Sequence, residues 1–218
     1  MCGYCAIPLI RGRHTSVPME KLVAEAEALV KKGVREIMVI AQDTTYYGVD
    51  LYGERKIAEL LERLCRIEKL EWIRLHYAYP TDFPDQLIEV MARERKICRY
   101  LDIPFQHISD NQLSAMKRRH TKAEAIELVA KLRKAIPDIA LRTTLLVGYP
   151  GESEEDFAEL MQFVKDTKFD RLGVFAYSEE EGTYSATRLK DDVEEEVKHE
   201  RVDRIMRLQE RISLENNA

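Results

Sequence analysis

The opening stretch MCGYCAIPLIRG carries two cysteines three positions apart, Cys2 and Cys5, with Tyr4 directly before the second. Thiols at that spacing support three chemistries. A thioredoxin-like redox pair sits between a strand and a helix in a small fold. Here the pair runs into AIPLIRG, read as strand or loop, in a chain of 218 residues. A structural zinc site needs two more ligands, usually a second close pair. Cys65 and Cys98 are isolated, and the histidines (His14, His76, His107, His120, His199) form no spaced pair. Iron–sulfur ligation also uses thiolates at close spacing. Spacing alone leaves the three readings open.

Any of these chemistries needs a frame, and the chain alternates. Apolar residues at helical spacing mark residues 17–33, 55–70, 84–95, 121–136, 153–167 and 191–215, with a shorter helical turn ahead of the fourth. Gly33 is a C-terminal stop, and Ser153 with the acids behind it is an N-cap. Continuous apolar runs at 35–43, 71–79, 99–107, 138–150 and 169–178 read as buried strands. Counting CAIPLI as a first strand gives six β-α units, which predicts an α/β fold with a parallel sheet, open or barrel-like. Both arrangements place working residues at the C-terminal ends of strands. Gln42 and Asp43, His76 and Tyr77, Gln106 and His107, Gly148 to Glu152, and Tyr177 to Glu180 fall there. Pro104 inside a strand signature predicts an irregular strand end.

Composition narrows the function classes. Hydrophobic residues are 45% and charged residues 33% of the chain, as in ordinary globular proteins. No apolar run approaches bilayer length and no leader is visible, so no membrane role is expected. A net charge of −5 argues against sequence-independent nucleic-acid binding. The basic run MKRRHTK, Met116 to Lys122, is the best candidate for a local RNA-binding patch, but it reads sooner as a solvated loop before a helix. Four cysteines are too few for a disulfide-stapled secreted scaffold, so a reduced, cytoplasmic setting is expected. Cys65 and Cys98 read as small buried apolar side chains. No linker or repeat interrupts residues 1–218, which read as one domain.

Resemblance separates the three chemistries. MCGYCAIPLIRG resembles the end of the radical S-adenosylmethionine (SAM) signature, Cys-x3-Cys-x2-Cys with an aromatic before the last cysteine. Cys2 and Cys5 match its second and third cysteines, and the first is expected just ahead of Met1. CAIPLIRG, IAQDTTYYGVDLYG, YLDIPFQHISDNQLSAMKR, RTTLLVGYPGESEEDF and FDRLGVFAYSEEEGT resemble, in order, segments of the radical SAM methylthiotransferase family. The resemblance implies a partial (β/α)6, TIM-like barrel. It implies a [4Fe-4S] cluster that binds SAM and cleaves it reductively to a 5′-deoxyadenosyl radical, and then installation of a methylthio group. It also implies an N-terminal domain with a second [4Fe-4S] cluster and a C-terminal TRAM domain, both expected outside this chain. With two of three ligands the chain alone is expected to hold a cluster poorly and to be inactive.

One branch of the family modifies a tRNA adenosine. The other modifies the β-carbon of an aspartate in a small-subunit ribosomal protein. AQDTTYYG, LHYAYP and RLGVFAYSEEEGT resemble the second branch, with the tRNA branch as the alternative. A barrel that binds without a cluster, or a structural metal site, is the reading from another class. A reductant such as flavodoxin or ferredoxin is the implied partner.

The resemblance assigns roles to named residues. Cys2 and Cys5 are metal ligands, and no catalytic residue is singled out beyond them. Tyr4 packs on the cluster edge or the adenine, or is simply a buried aromatic. Gln42 and Asp43 stand where related enzymes hold the amino group of the methionine moiety, Asp43 having loop capping as its alternative. Gln106 and Ser109 would bond the ribose, Ser109 having helix capping as its alternative. Arg142 would meet the methionine carboxylate, because a guanidinium fork bonds both oxygens, or form an ion pair at the barrel bottom. Gly148 and Gly151 would let the backbone approach the adenine.

Overall fold

A computed structural model describes residues 2–217. In chain order the elements are α1 (Ile7–Arg11), α2 (Met19–Lys31), β1 (Glu36–Val39), α3 (Val49–Tyr52), α4 (Ile57–Cys65), β2 (Trp72–Leu75), α5 (Asp85–Arg93), β3 (Ile97–Asp102), α6 (Asp110–Ala115), α7 (Lys122–Ala135), β4 (Ala140–Val147), α8 (Glu154–Thr167), β5 (Arg171–Ala176), α9 (Tyr184–Arg188) and α10 (Glu195–Asn216). A 3-10 turn, Thr44–Tyr46, follows β1. The expected first strand is absent among the described residues: Ile7 to Ile10 of CAIPLI fold into α1 instead. Pro8 lies in its first turn, where the missing N–H costs nothing, and Gly12 ends it at φ +76°. Five strands therefore stand among the described residues, where six were expected. No helix among the described residues is long and apolar enough to cross a membrane.

The chain divides into two compact units. One comprises His14–Ile103 and Ala130–Ala140. Within it β1 pairs parallel with β2 and β2 with β3, in registers such as Val39↔Leu75 and Leu75↔Leu101. Ile57, Leu60, Leu61 and Leu64 bury one face of α4 at spacings of three and four, as an amphipathic helix requires. Leu87, Ile88, Val90 and Met91 do the same on α5. β3 ends at Asp102, two residues before Pro104. Cys65 and Cys98 are half-buried rather than enclosed, and burial pushes Cys65 up to about 11.

The other unit comprises the chain up to Arg13, Pro104–Val129, and the chain from Leu141 on. β4 pairs parallel with β5 from Arg142↔Arg171 to Val147↔Ala176. Gln106 forms a single parallel bridge to Leu145. α10 packs on β5 and α8. Ser153 caps α8 as its residue type predicts: its hydroxyl accepts the Asp156 N–H at 3.1 Å while Asp156 accepts the Ser153 N–H at 3.0 Å. Phe105, Phe163 and Phe169 meet with ring centroids 5.5–6.1 Å apart.

His120 belongs to this core, edge-on to Phe105 at 6.1 Å. The run MKRRHTK is therefore not a solvated loop, since Met116, Arg118 and His120 are buried while Lys117 and Arg119 are exposed. Burial, helped by the Arg118 guanidinium, pushes His120 down to about 4. Below the ordinary histidine value of ~6.5 the unfolded chain takes up a proton that the folded chain refuses until about pH 4. Stability must therefore fall as pH falls through that window. Urea melts should show the wild type losing about 2 kcal/mol between pH 7.5 and 5 through this residue. His120→Leu should remove that share of the pH dependence.

Candidate functional site

Cys2 and Cys5 lie in one turn, closed by the Cys5 N–H donating to the Cys2 carbonyl at 3.3 Å. The turn is held on two sides. The Gly3 N–H donates to the Met116 carbonyl at 2.8 Å, and the Gly3 carbonyl accepts the Ser185 N–H at 2.9 Å. A Cβ on Gly3 would stand 3.1 Å from the Tyr149 hydroxyl and 3.3 Å from the Tyr184 ring. Both sulfurs are half-buried. Burial pushes the Cys5 thiol up, partly offset by a hydrogen bond from the Ile7 N–H. A metal ion reverses that balance, because coordination deprotonates a thiol outright. The pair fits two corners of an iron–sulfur cluster: thiols in one turn, with N–H donors near sulfur. No three metal-ligating side chains converge among the described residues.

Tyr4 reaches from this turn to Tyr149, with ring centroids 6.3 Å apart and nearly perpendicular planes. Tyr149 meets Tyr177 at 5.1 Å, and Met116 and Leu146 complete the cluster. The Tyr149 hydroxyl donates to the Ala115 carbonyl at 3.2 Å. Burial pushes Tyr149 up to about 12 and holds Tyr4 well above its ordinary value, so both rings are neutral. The aromatic cluster brings the cysteine turn beside GYPGE.

That loop is built on glycine. Gly148 adopts φ +71° and Gly151 φ +77°, a region costly for other residues. Gly148 is also packed: a Cβ there would come within 2.2 Å of Lys198 Cγ. The Lys198 stem lies in that space while its ammonium pairs with Asp191 and Glu195, each at 2.6 Å. The Gly151 N–H donates to Asp192 at 2.7 Å. The Gly148 N–H donates to Glu152 Oε2, which Arg201 also meets at 2.6 Å. Glu152 Oε1 bonds His107 Nε2 at 3.0 Å, and His107 Nδ1 accepts the Ser109 N–H at 3.1 Å. This pattern puts the imidazole proton on Nε2. One buried carboxylate thus ties FQHIS, GYPGE and α10 together.

The remaining expected residues fall in different places. Ser109 is buried beside this knot, but its hydroxyl donates to Asp156 and caps nothing in α6. Asp156 would be raised by burial, yet bonds from Ser109, Ser153 and Asn111 hold it below the usual carboxylate value. Gln106 carries φ +71° and is held there by backbone bonds to Thr144 (2.9 Å) and Leu146 (2.7 Å). Arg142 lies at the start of β4, five residues ahead of Val147. At about 3.3 Å per residue, the six steps to Gly148 are roughly 20 Å, so the structure does not bring it to the loop. Gln42 and Asp43 follow β1 in the other unit. Gln42 is exposed. Asp43 Oδ1 caps the 3-10 turn, taking the Thr45 N–H at 2.9 Å and its hydroxyl at 2.6 Å. Reading the sequence missed Arg118, whose guanidinium donates to Cys2 Sγ, and the positioning of Glu152 by Arg201.

The family model described as the Radical SAM superfamily matches residues 1–164. A protein of Phocaeicola vulgatus named ribosomal protein uS12 methylthiotransferase RimO is 55% identical over 212 residues, 97% of this chain and 49% of its own length. One of the same name from Flavobacterium johnsoniae is 57% identical over 216 residues, 99% of this chain and 49% of its own. The chain spans about half the length of these curated relatives. Among solved structures, Streptococcus suis SuiB bound to S-adenosylmethionine is similar with a TM-score of 0.60 at 19% identity, covering 97% of this chain and 43% of its own. TsrM of Kitasatospora setae, with cobalamin and a [4Fe-4S] cluster, is similar with a TM-score of 0.65 at 20% identity, covering 80% and 34%. These likenesses bear out the expected α/β fold of the radical SAM, TIM-like partial-barrel class.

The Glu152 knot makes a stability prediction. Glu152→Ala would leave Arg201, 6% exposed, without its buried partner. Removing one member of a buried ion pair costs about 3–5 kcal/mol. Chemical denaturation should show a loss of that size, and a smaller one for Glu152→Gln, which keeps an acceptor for the Gly148 N–H.

Proposed function

The chain belongs to the radical SAM superfamily, and from that premise we propose that it is the core of a methylthiotransferase. Its substrate would be an aspartate of ribosomal protein uS12, modified at the β-carbon. The observation that carries this reading is the 55–57% identity, over nearly the whole chain, to proteins named for that activity. The acidic net charge of −5 agrees, because ribosomal proteins are basic.

The proposed parts follow from the site. Cys2 and Cys5 supply two thiolates to a [4Fe-4S] cluster, the third being expected ahead of Met1. The cluster, once bound, supplies the electron for reductive cleavage of S-adenosylmethionine. The Gly148–Gly151 turn carries exposed backbone at its outer end and is fixed by Glu152, which suits approach to a flat adenine. Tyr4 closes the side of the cysteine turn toward Tyr149. Ser109, its hydroxyl already engaged by Asp156, contributes through its backbone and its hold on His107 rather than as a free ribose donor. Gln106, with its strained and doubly bonded backbone, directs its side chain from a fixed point. Gln42 remains available for the methionine amino group, whereas Asp43 shapes the loop that presents it. Arg142 takes the barrel-bottom role. The whole protein would also carry the second cluster, use a flavodoxin- or ferredoxin-type reductant, and work in the cytoplasm.

The test uses the full-length protein, reconstituted anaerobically with iron and sulfide, with S-adenosylmethionine, a strong reductant and, in parallel reactions, isolated uS12 or tRNA. The wild type should form 5′-deoxyadenosine, and mass spectrometry should find one methylthio group on a uS12 aspartate. Cys2→Ala and Cys5→Ala should each abolish both products. A methylthio group on tRNA adenosine instead would transfer the assignment to the other branch. No 5′-deoxyadenosine despite bound iron would end the radical reading.

A further inference from the structure

Arg118 stands in contact with Cys2, 116 residues away in sequence. Its Nη1 donates to Cys2 Sγ at 3.4 Å and its Nη2 to the Pro104 carbonyl at 2.5 Å. The residue is 8% exposed. Its backbone N–H donates to the Leu113 carbonyl at 2.8 Å, two residues from the Met116 carbonyl that holds Gly3. The same segment, 113–118, therefore anchors the cysteine turn by its backbone and reaches its first sulfur by a side chain.

The chemistry of these groups is mismatched unless the sulfur carries charge. A guanidinium is cationic at every accessible pH, and a neutral thiol is a weak acceptor. Burying such a cation is costly, and directing one of its N–H groups at a weak acceptor recovers little of that cost. A thiolate is a strong acceptor, and charge-assisted bonds are about twice as strong as neutral ones. The Arg118 fork therefore suits a Cys2 sulfur that is bound to a metal. In an iron–sulfur cluster the ligand sulfurs carry part of the net negative charge, which grows by one on reduction. Positive charge and N–H donors at sulfur favour the reduced state and raise its potential.

We propose that Arg118 is a positioning residue for the cluster: it holds the Cys2 ligand sulfur and makes the cluster easier to reduce. The inference rests on the radical SAM reading of Cys2 and Cys5. It gives MKRR a task in electron acceptance, with only Lys117 and Arg119 of its basic residues facing solvent.

The experiment compares the full-length wild type with Arg118→Met, Arg118→Gln and Arg118→Lys, all reconstituted anaerobically. Iron and sulfide content and circular dichroism establish loading and fold. Electron paramagnetic resonance during a dithionite titration reads the midpoint potential of the cluster that binds S-adenosylmethionine. Arg118→Met should load yet be about tenfold less reduced at a fixed potential, which for one electron is a shift of about 59 mV to more negative values. Arg118→Lys, keeping the charge, should recover most of the difference. If Arg118→Met folds poorly, Arg118→Gln keeps a donor without charge and carries the comparison. Loaded variants with an unchanged potential would overturn the proposal and leave Arg118 a structural prop. A wild type that never loads a cluster would instead overturn the radical reading itself.

Discussion

A carboxylate closed off from water is an expensive thing to fold, and Glu152 is one. The cost is met by three donors from three parts of the chain: the Gly148 N–H, His107 and Arg201. Each donor is fixed in turn. Gly148 must keep a left-handed backbone, His107 must keep its proton on Nε2, and Arg201 must present itself from α10. None of these can relax alone without leaving a buried charge or donor unmet. The shape of the glycine turn is therefore a property of the unit as a whole. That is why a loop of five residues can be held rigid.

The aromatic cluster performs the matching task for the cysteine turn. Tyr4, Tyr149 and Tyr177 meet edge to face, the arrangement favoured by ring quadrupoles. Their hydroxyls are kept neutral by burial, and that of Tyr149 is spent on a backbone carbonyl. The turn is thereby pressed against the glycine loop without a charged contact between them. The guanidinium of Arg118 bonds the Cys2 sulfur directly.

Much of the fold was legible because its signals are local. The α4 face shows in residues 57, 60, 61 and 64, and the α8 cap in Ser153 followed by acids. β4 is written as an apolar run. The failure at α1 was also local: CAIPLI satisfies a strand pattern by hydrophobicity, and Pro8 outweighs that pattern. The site was legible only where a motif is contiguous, at the cysteine turn and GYPGE. Asp43 and Ser109 were visible as polar residues after strands, but their actual bonds, to Thr45 and Asp156, depend on neighbours that only the fold supplies. Arg118 was hidden for the same reason: a basic run looks solvated when read by itself. Its partners come from residue 2 and residue 104.

The cysteine turn has a further consequence, in the order of assembly. Its anchors lie 116 residues ahead, at Arg118, and 182 residues ahead, at Ser185. Closing such long loops costs entropy that grows only slowly with length, but no contact is made until the distant partner exists. On a ribosome, synthesis proceeds from the N-terminus at about 5–20 residues per second. Within this chain the turn precedes both anchors, and it is fully seated only once α9 has emerged, several seconds at least later. During that interval Cys2 and Cys5 lie on an unanchored strand of chain. The thiols are thus exposed to oxidants and stray metal ions at the moment when the cell can least protect them by folding. Seating of the cysteine turn is accordingly tied to the speed of translation.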